Sequence, residues 1–365
     1  MKNVATNTQS QLIDNEPITP PAQLPQSICH PANRISWIDT AKGLGILLVI
    51  IGHLKTPYLA SWIYTFHMPL FFILSGYVFP AGKYTFSDFL VKRLKSLVIP
   101  YFCLGAVIFI WFAGVYYLQD RPLIDYWIML KNFIIQKHYW TIWFLAALFL
   151  AQLIYYCINH ITNDNIAIST AISAAMAAIG FIWYRLGGHG LVWNLDVALI
   201  AQFFYHCGYI FKKSSLLTHY FSDISIFKKI VTVVILLAVN VLSAKLSIVL
   251  SGQSFDMSIG MYGNELCSIV AALSGSLAII YLCSTIAGNR ALNWLGRNTM
   301  VIFSWHSRIG IVGLGFIYSY LGLFIEHSIW NQLIYSAVSL VAILAFFVPI
   351  TLLIKKSPCH SIFGV

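Results

Sequence analysis

The chain has 365 residues, of which 59% are hydrophobic, 15% aromatic and only 9% charged, against roughly 25% charged in an ordinary soluble domain. So few charged side chains cannot cover a water-facing surface of this size, which excludes a soluble enzyme, a nucleic-acid-binding module and a disordered scaffold. The formal net charge of +10 comes from Lys and Arg spread between apolar runs, the distribution of an inner-membrane protein rather than of a nucleic-acid binder.

Residues 1–33 are rich in Asn, Thr, Gln and Pro and lack an apolar core; they predict a disordered cytoplasmic tail, not a cleaved signal peptide. Residues 34–365 form one transmembrane domain. Its apolar stretches are 44–60, 62–79, 97–118, 140–158, 166–184, 195–211, 230–250, 266–287, 301–323 and 333–354. Each is long enough, or nearly so, to cross about 30 Å of hydrocarbon at about 1.5 Å per helical residue. They show no barrel-like alternation, so the predicted fold is an all-α polytopic membrane protein of about ten transmembrane helices. Aromatic clusters at span ends (Tyr139/Trp140/Trp143, Trp183/Tyr184, Trp193) read as headgroup-layer anchors. Counting basic residues on alternate loops gives fifteen on the N-terminal side and six on the other, which puts both termini in the cytoplasm. The seven cysteines have no C-x-x-C spacing and predict free thiols, neither a disulfide frame nor a metal site.

Ionisable groups inside apolar spans are costly and therefore mark function by default. Asp39 and Lys42 open the first span, and His53 follows Lys42 by eleven residues. At about 100° per residue, that spacing returns to within about 20° of the same helix face, roughly 16 Å along the axis. Such a face suits an anionic cofactor at the mouth with its reactive end at the imidazole, a group able to take a proton near neutral pH. The same residues also read as headgroup flanks and a packed histidine. His67 opens His67-Met68-Pro69-Leu70 in the second span, and a turn centred near residue 60 puts His53 and His67 at similar depth. Pro69 either loosens the helix for a ligand or is a tolerated kink; Ser75 and Gly76 read as helix packing rather than as a nucleophile and its loop.

Further on, Lys92, Arg93 and Lys95 precede Pro100 and suit either phosphates or anionic lipid. Asp196, with Arg185 and His189, stands at the outer start of the sixth span, where it either positions a polar acceptor such as a sugar or belongs to an ordinary polar loop. In the ninth span, His306 and Arg308 lie two to three turns beyond Arg297 and Asn298; an arginine there needs a carboxylate, a phosphate or water beside it, and a structural ion pair answers equally. The sequence has no phosphate loop, no G-x-G-x-x-G, no H-E-x-x-H and no G-x-S-x-G.

The run Trp37-Ile38-Asp39-Thr40-Ala41-Lys42-Gly43 through Gly52-His53, then Phe66-His67-Met68-Pro69-Leu70-Phe71-Phe72 and Ser75-Gly76-Tyr77, resembles the membrane-bound acyltransferase-3 family, especially its fucose 4-O-acetylase-like branch. Trp143-Phe144-Leu145, Asn194-Leu195-Asp196 and Gly296-Arg297-Asn298-Thr299 leading to His306 extend the likeness over nearly everything after the tail. Lys42 stands where many relatives have Arg, and the family's basic pair, often Arg-x-x-Arg, stands as Lys92-x-x-Lys95 with Arg93 between, losing the guanidinium fork.

The resemblance implies about ten transmembrane helices, acetyl-coenzyme A supplied from the cytoplasm, no metal, and transfer of the acetyl group to a sugar hydroxyl of a surface or secreted polysaccharide or its lipid-linked precursor. On that expectation the catalytic set is His53, Lys42, Asp39, His67 and His306. Lys92, Arg93 and Lys95 meet coenzyme phosphates, and Asp196 and Arg308 meet the acceptor. The partners expected are a glycan and membrane lipids, with no nucleic acid. The rival readings are a secondary transporter or glycan flippase using intramembrane His and Arg, and the same enzyme with another acyl group such as succinyl.

Overall fold

In hydrocarbon a backbone has no water to bond, so an apolar run satisfies its own N–H and C=O groups by coiling into a helix. The computed structural model describes residues 35–54, 56–137, 141–214, 225–323 and 328–364; the expected tail, Lys55 and the Tyr139/Trp140 pair lie outside the described residues. The architecture is that of an all-α polytopic membrane protein. Its helices are α1 (Ser36–Gly52), α2 (Pro57–Tyr64), α3 (His67–Tyr77), α4 (Phe86–Arg93), α5 (Ile99–Leu118), α6 (Leu123–Ile135), α7 (Trp143–Ile161), α8 (Ile166–Arg185) and α9 (Leu195–Lys213). Then come α10 (Ile226–Ser251), α11 (Glu265–Thr285), α12 (Arg290–Arg297), α13 (Thr299–Trp305), α14 (Val312–Tyr320) and α15 (Ile329–Lys356). Two π-helical segments, Leu94–Val98 and His306–Ile311, join α4 to α5 and α13 to α14. Among the described residues, eight helical stretches are long and apolar enough to cross a membrane; α1, with 17 residues, and α9 occupy the remaining two predicted spans.

The first two spans depart from the sequence expectation in register. The first helix runs Ser36–Gly52 instead of 44–60, and the next begins at Pro57, ahead of the turn expected near 60. The cause is Pro57, which can begin a helix but disfavours helical geometry in the residue before it. The second span breaks at Thr65 and Phe66, where Phe66 has φ −139° and ψ −18°. Pro69 supplies no N–H for the Thr65 carbonyl, so the helix restarts at His67 with the proline in its first turn, where no N–H is required. Side chains from the neighbouring helices brace the break. Ser276 donates to the Phe66 carbonyl at 3.2 Å, and Asn240 donates to Thr65 Oγ1 at 3.0 Å while accepting from Trp62 Nε1 at 2.7 Å. The third span starts earlier than its apolar run because Thr85 caps α4, accepting from the Asp88 N–H at 3.2 Å.

Two helix crossings are set by glycine. A Cβ on Gly43 would lie 2.0 Å from the Leu292 carbonyl oxygen, and one on Gly296 would lie 1.8 Å from that of Asp39. These reciprocal contacts seat the short helix α12 against the start of α1, where Asp39 and Arg297 pair at 2.7 Å and Asn293 accepts from Thr40 at 2.6 Å. Gly76 and Gly208 do the same for α3 and α9, with Cβ positions 1.8 Å from the Tyr205 oxygen and 1.9 Å from the Ile73 oxygen. Gly76 is thus a packing residue, as its neighbourhood in the sequence indicated.

Candidate active site

Three histidines and a tyrosine converge at the far end of α1. His53 ends that helix, with Nδ1 at 2.8 Å from the Val49 carbonyl oxygen. His306, first residue of the second π segment, brings Nε2 to 3.4 Å from His53 Nδ1, the rings 4.9 Å apart and nearly perpendicular. The ring of Tyr64, at the break in the second span, lies 5.8 Å from that of His53 and 5.1 Å from that of His67. His306 and His67 are buried. The rings of His53 and His67 are linked through that of Tyr64 rather than by direct stacking.

The hydrogen-bond partners fix the tautomers. A carbonyl oxygen only accepts, so a ring nitrogen facing one carries the hydrogen. His306 Nδ1–H donates to the Phe303 carbonyl at 2.7 Å, and His67 Nδ1–H donates to that of Ile63 at 3.0 Å. His53 Nδ1–H donates to Val49 and also faces the lone pair of His306 Nε2. This leaves His53 Nε2 as an unprotonated base. The Tyr64 hydroxyl makes no hydrogen bond among the described residues and is available to a ligand. Two charges act on His53: Asp256, in the loop between α10 and α11, and Arg308, two residues beyond His306 in the π segment. A base held in one tautomer, a free phenol and flanking charges form a constellation suited to proton-coupled group transfer. Among the described residues no three His, Cys, Asp or Glu side chains group as metal ligands.

A family model described as an acyltransferase domain matches residues 35–354. The chain belongs to the acyltransferase-3 family. It is 31% identical over 164 residues to the nodulation protein NolL of Mesorhizobium japonicum, covering 41% of this chain and 42% of the relative. It is 28% identical over 179 residues to NolL of Sinorhizobium fredii, covering 43% and 46%. The chain therefore spans less than half the length of the curated relatives it matches. No solved structure matches it.

Within this acyltransferase domain the remaining predicted residues separate into four places. Lys42 is half-buried on α1, which is unbroken from Ser36 to Gly52, so Lys42 and His53 share a face. Asp39, expected to hold Lys42, gives its carboxylate to Arg297. Lys92, Arg93 and Lys95 lie on α4 and the first π segment, at the opposite end of α1 from His53. Lys92 sits over the Tyr84 ring at 3.8 Å, Arg93 over Phe89 at 4.7 Å, and Lys95 is exposed. Asp196 is fully buried and accepts from Tyr184 at 2.6 Å, while Arg185 pairs with Glu265. Arg308 lies 5.9 Å from the Phe112 ring centre. Tyr64 and Asp256 complete the site without having been singled out. The spacing of Tyr64 and His67, one helical turn, was a usable signal; nothing local marked Asp256.

Proposed function

We propose that the protein is a multi-pass O-acetyltransferase of the bacterial inner membrane, with both termini in the cytoplasm. It moves an acetyl group from cytoplasmic acetyl-coenzyme A to a sugar hydroxyl of a surface or secreted polysaccharide or its lipid-linked precursor. The observation that carries the reading is the His53 and His306 pair, fixed in one tautomer at the end of α1 opposite the Lys92, Arg93 and Lys95 cluster, within an acyltransferase-3 chain. In the reaction, His53 Nε2 takes the proton of the acceptor hydroxyl as that oxygen attacks the thioester carbonyl. The imidazolium is steadied at Nδ1–H by the Val49 oxygen and His306 Nε2. Tyr64 O–H donates to the oxyanion of the tetrahedral intermediate. Collapse breaks the C–S bond, and the departing thiolate recovers the proton from Nε2, restoring the neutral base. Lys42, on the face of α1 that leads to His53, attracts the polyanionic donor, and the resemblance to fucose 4-O-acetylases supports a sugar as acceptor.

The test is transfer of radiolabel from acetyl-coenzyme A into glycan by membranes carrying the wild type or His53→Ala at matched protein levels. Labelling by the wild type and a loss of about 10²-fold or more in the variant support the assignment. Equal labelling removes His53 from the chemistry. A protein that labels none of several acceptors but moves glycan across the membrane is a transporter, and this reading then fails.

A further inference from the structure

An arginine inside a membrane-spanning stretch has to be matched by a carboxylate, a phosphate or water. Arg308 lies in such a stretch, Thr299–Tyr320, and is half-buried. The ion pairs among the described residues are Arg121 with Asp125, Arg185 with Glu265, Lys213 with Asp164 and Arg297 with Asp39. None takes in Arg308, so the structural ion pair that its sequence position allowed is absent among the described residues. Asp256, the acid that acts on His53, gives Oδ1 to the Ser258 N–H at 2.8 Å and to the Ser258 hydroxyl at 2.6 Å. The guanidinium stands 5.9 Å from the centre of the Phe112 ring, a contact that attracts a cation weakly and uses none of its N–H donors for hydrogen bonds.

The place of Arg308 says which substrate brings an anion to it. The chain enters α13 at the end of the bundle where α1 begins, because α12, just before it, is seated there through Gly296 and Asp39. His306 lies at the other end of α1, beside His53. Arg308, two residues further in the same direction, therefore stands beyond the histidine pair, on the side away from Lys92, Arg93 and Lys95. A donor whose phosphates stay with those cations, about 25 Å of α1 away, does not bring them to Arg308 as well. An anion at Arg308 comes with the other substrate, from the other end. Such an anion also acts on the base. When His53 takes a proton, its imidazolium and the Arg308 guanidinium are like charges that repel. Asp256 offsets part of that repulsion from its loop, and an anion held at Arg308 offsets more.

We infer that Arg308 receives an oxyanion of the acceptor, the phosphate that joins a saccharide to a lipid carrier, and so holds the adjoining sugar with a hydroxyl at His53 Nε2. The inference rests on the acyltransferase reading above and deepens it, choosing the lipid-linked precursor over the finished polymer. Two features favour phosphate on a lipid. The guanidinium fork takes two phosphate oxygens side by side. Arginine also extends from within a span toward the headgroup layer, where a lipid-borne phosphate lies and which a hydrated polymer must leave water to enter.

The experiment is acetyl transfer from radiolabelled acetyl-coenzyme A by the full chain in phosphatidylcholine nanodiscs. The acceptors are the lipid extract and the aqueous polymer fraction of bacterial cells lacking the protein, and the inhibitors are octyl phosphate and octanoate. The variants are Arg308→Gln and Arg308→Lys. Label should enter the lipid extract, and octyl phosphate should compete with it better than octanoate does. Arg308→Gln should raise the KM for the extract about tenfold or more and lose the inhibition by octyl phosphate, with the KM for acetyl-coenzyme A within about twofold of the wild type. Arg308→Lys keeps the charge without the fork and should fall between the two; it keeps the test open where the neutral variant fails to fold. An acceptor KM and an inhibition that neither variant changes would leave water as the partner of Arg308 and overturn the inference while the acyltransferase reading stands. A change confined to the KM for acetyl-coenzyme A would overturn it by moving Arg308 to the donor. Label in the polymer fraction alone, or stronger inhibition by octanoate, would remove the lipid-borne phosphate. A wild type that labels neither fraction overturns the acyltransferase reading together with the inference.

Discussion

At the scale of single residues, one hydrogen decides the chemistry. His53 must carry it on Nδ1 to leave Nε2 as a base, and the Val49 oxygen at 2.8 Å would suffice for that in the resting state. The second acceptor, His306 Nε2 at 3.4 Å, matters once Nε2 is protonated and the ring becomes a cation in a low-dielectric site. His306 is therefore a positioning residue, and its removal should act on kcat. We expect His306→Leu to lower kcat about ten- to a hundredfold with the KM for acetyl-coenzyme A nearly unchanged. His306→Gln should recover part of the loss, because its amide oxygen restores an acceptor. Tyr64→Phe should cost about 10²- to 10³-fold in kcat, the usual loss of an oxyanion donor. Steady-state kinetics in membranes at matched expression check all three, and an unaltered kcat in His306→Leu would make that histidine a packing residue. His53, His67 and His306 were legible in the sequence because each is a polar residue embedded in an apolar run. Tyr64 was not, since tyrosine is common throughout this chain, and Asp256 reaches the site only because α10 and α11 fold back across some two hundred residues of sequence.

At the scale of elements, the apolar runs located the spans well, because hydrocarbon demands length and apolarity and little else. What they left out are the interruptions. The break at Thr65 and Phe66 and the two π segments are short and lie within or beside long apolar runs, so a hydropathy window averages over them, yet they place Tyr64, His67, His306 and Arg308. Crossing geometry is also hidden from hydropathy and rests on glycines whose partners are distant in sequence. At the α3–α9 crossing a Cβ on Gly76 would fall 1.8 Å from the Tyr205 backbone oxygen, which has no flexible end to yield. Gly76→Ala must push α3 and α9 apart. Overpacking of this kind costs about 1–3 kcal/mol, and we expect a thermal midpoint in detergent lower by about 1–4 °C. Gly114, on α5, has nothing within 4 Å of its Cβ position, and Gly114→Ala should be neutral or stabilising by up to about 1 kcal/mol through helix propensity. Equal midpoints for the two variants would show that the crossing tolerates a methyl group and that glycine there is not what sets helix separation.

At the scale of the whole molecule, the proposed reaction has a direction. The cationic cluster of α4 stands at the end where α1 begins, and the His53 cluster at the end where α1 finishes, with Asp256 reaching it from the loop between α10 and α11. Acetyl-coenzyme A is a cytoplasmic metabolite, so the reading holds only if the first of these ends faces the cytoplasm. The positive-inside count of the loops, fifteen basic residues against six, predicts the same orientation on independent grounds. Cys359 is exposed just beyond α15, and Ser254 lies in the loop between α10 and α11. In a background with the other cysteines replaced, a membrane-impermeant maleimide should label Ser254→Cys in intact spheroplasts and Cys359 only after permeabilisation. The reverse pattern would put the Lys92, Arg93 and Lys95 cluster outside, away from any supply of acetyl-coenzyme A. It would defeat the proposed donor, whatever the histidines do.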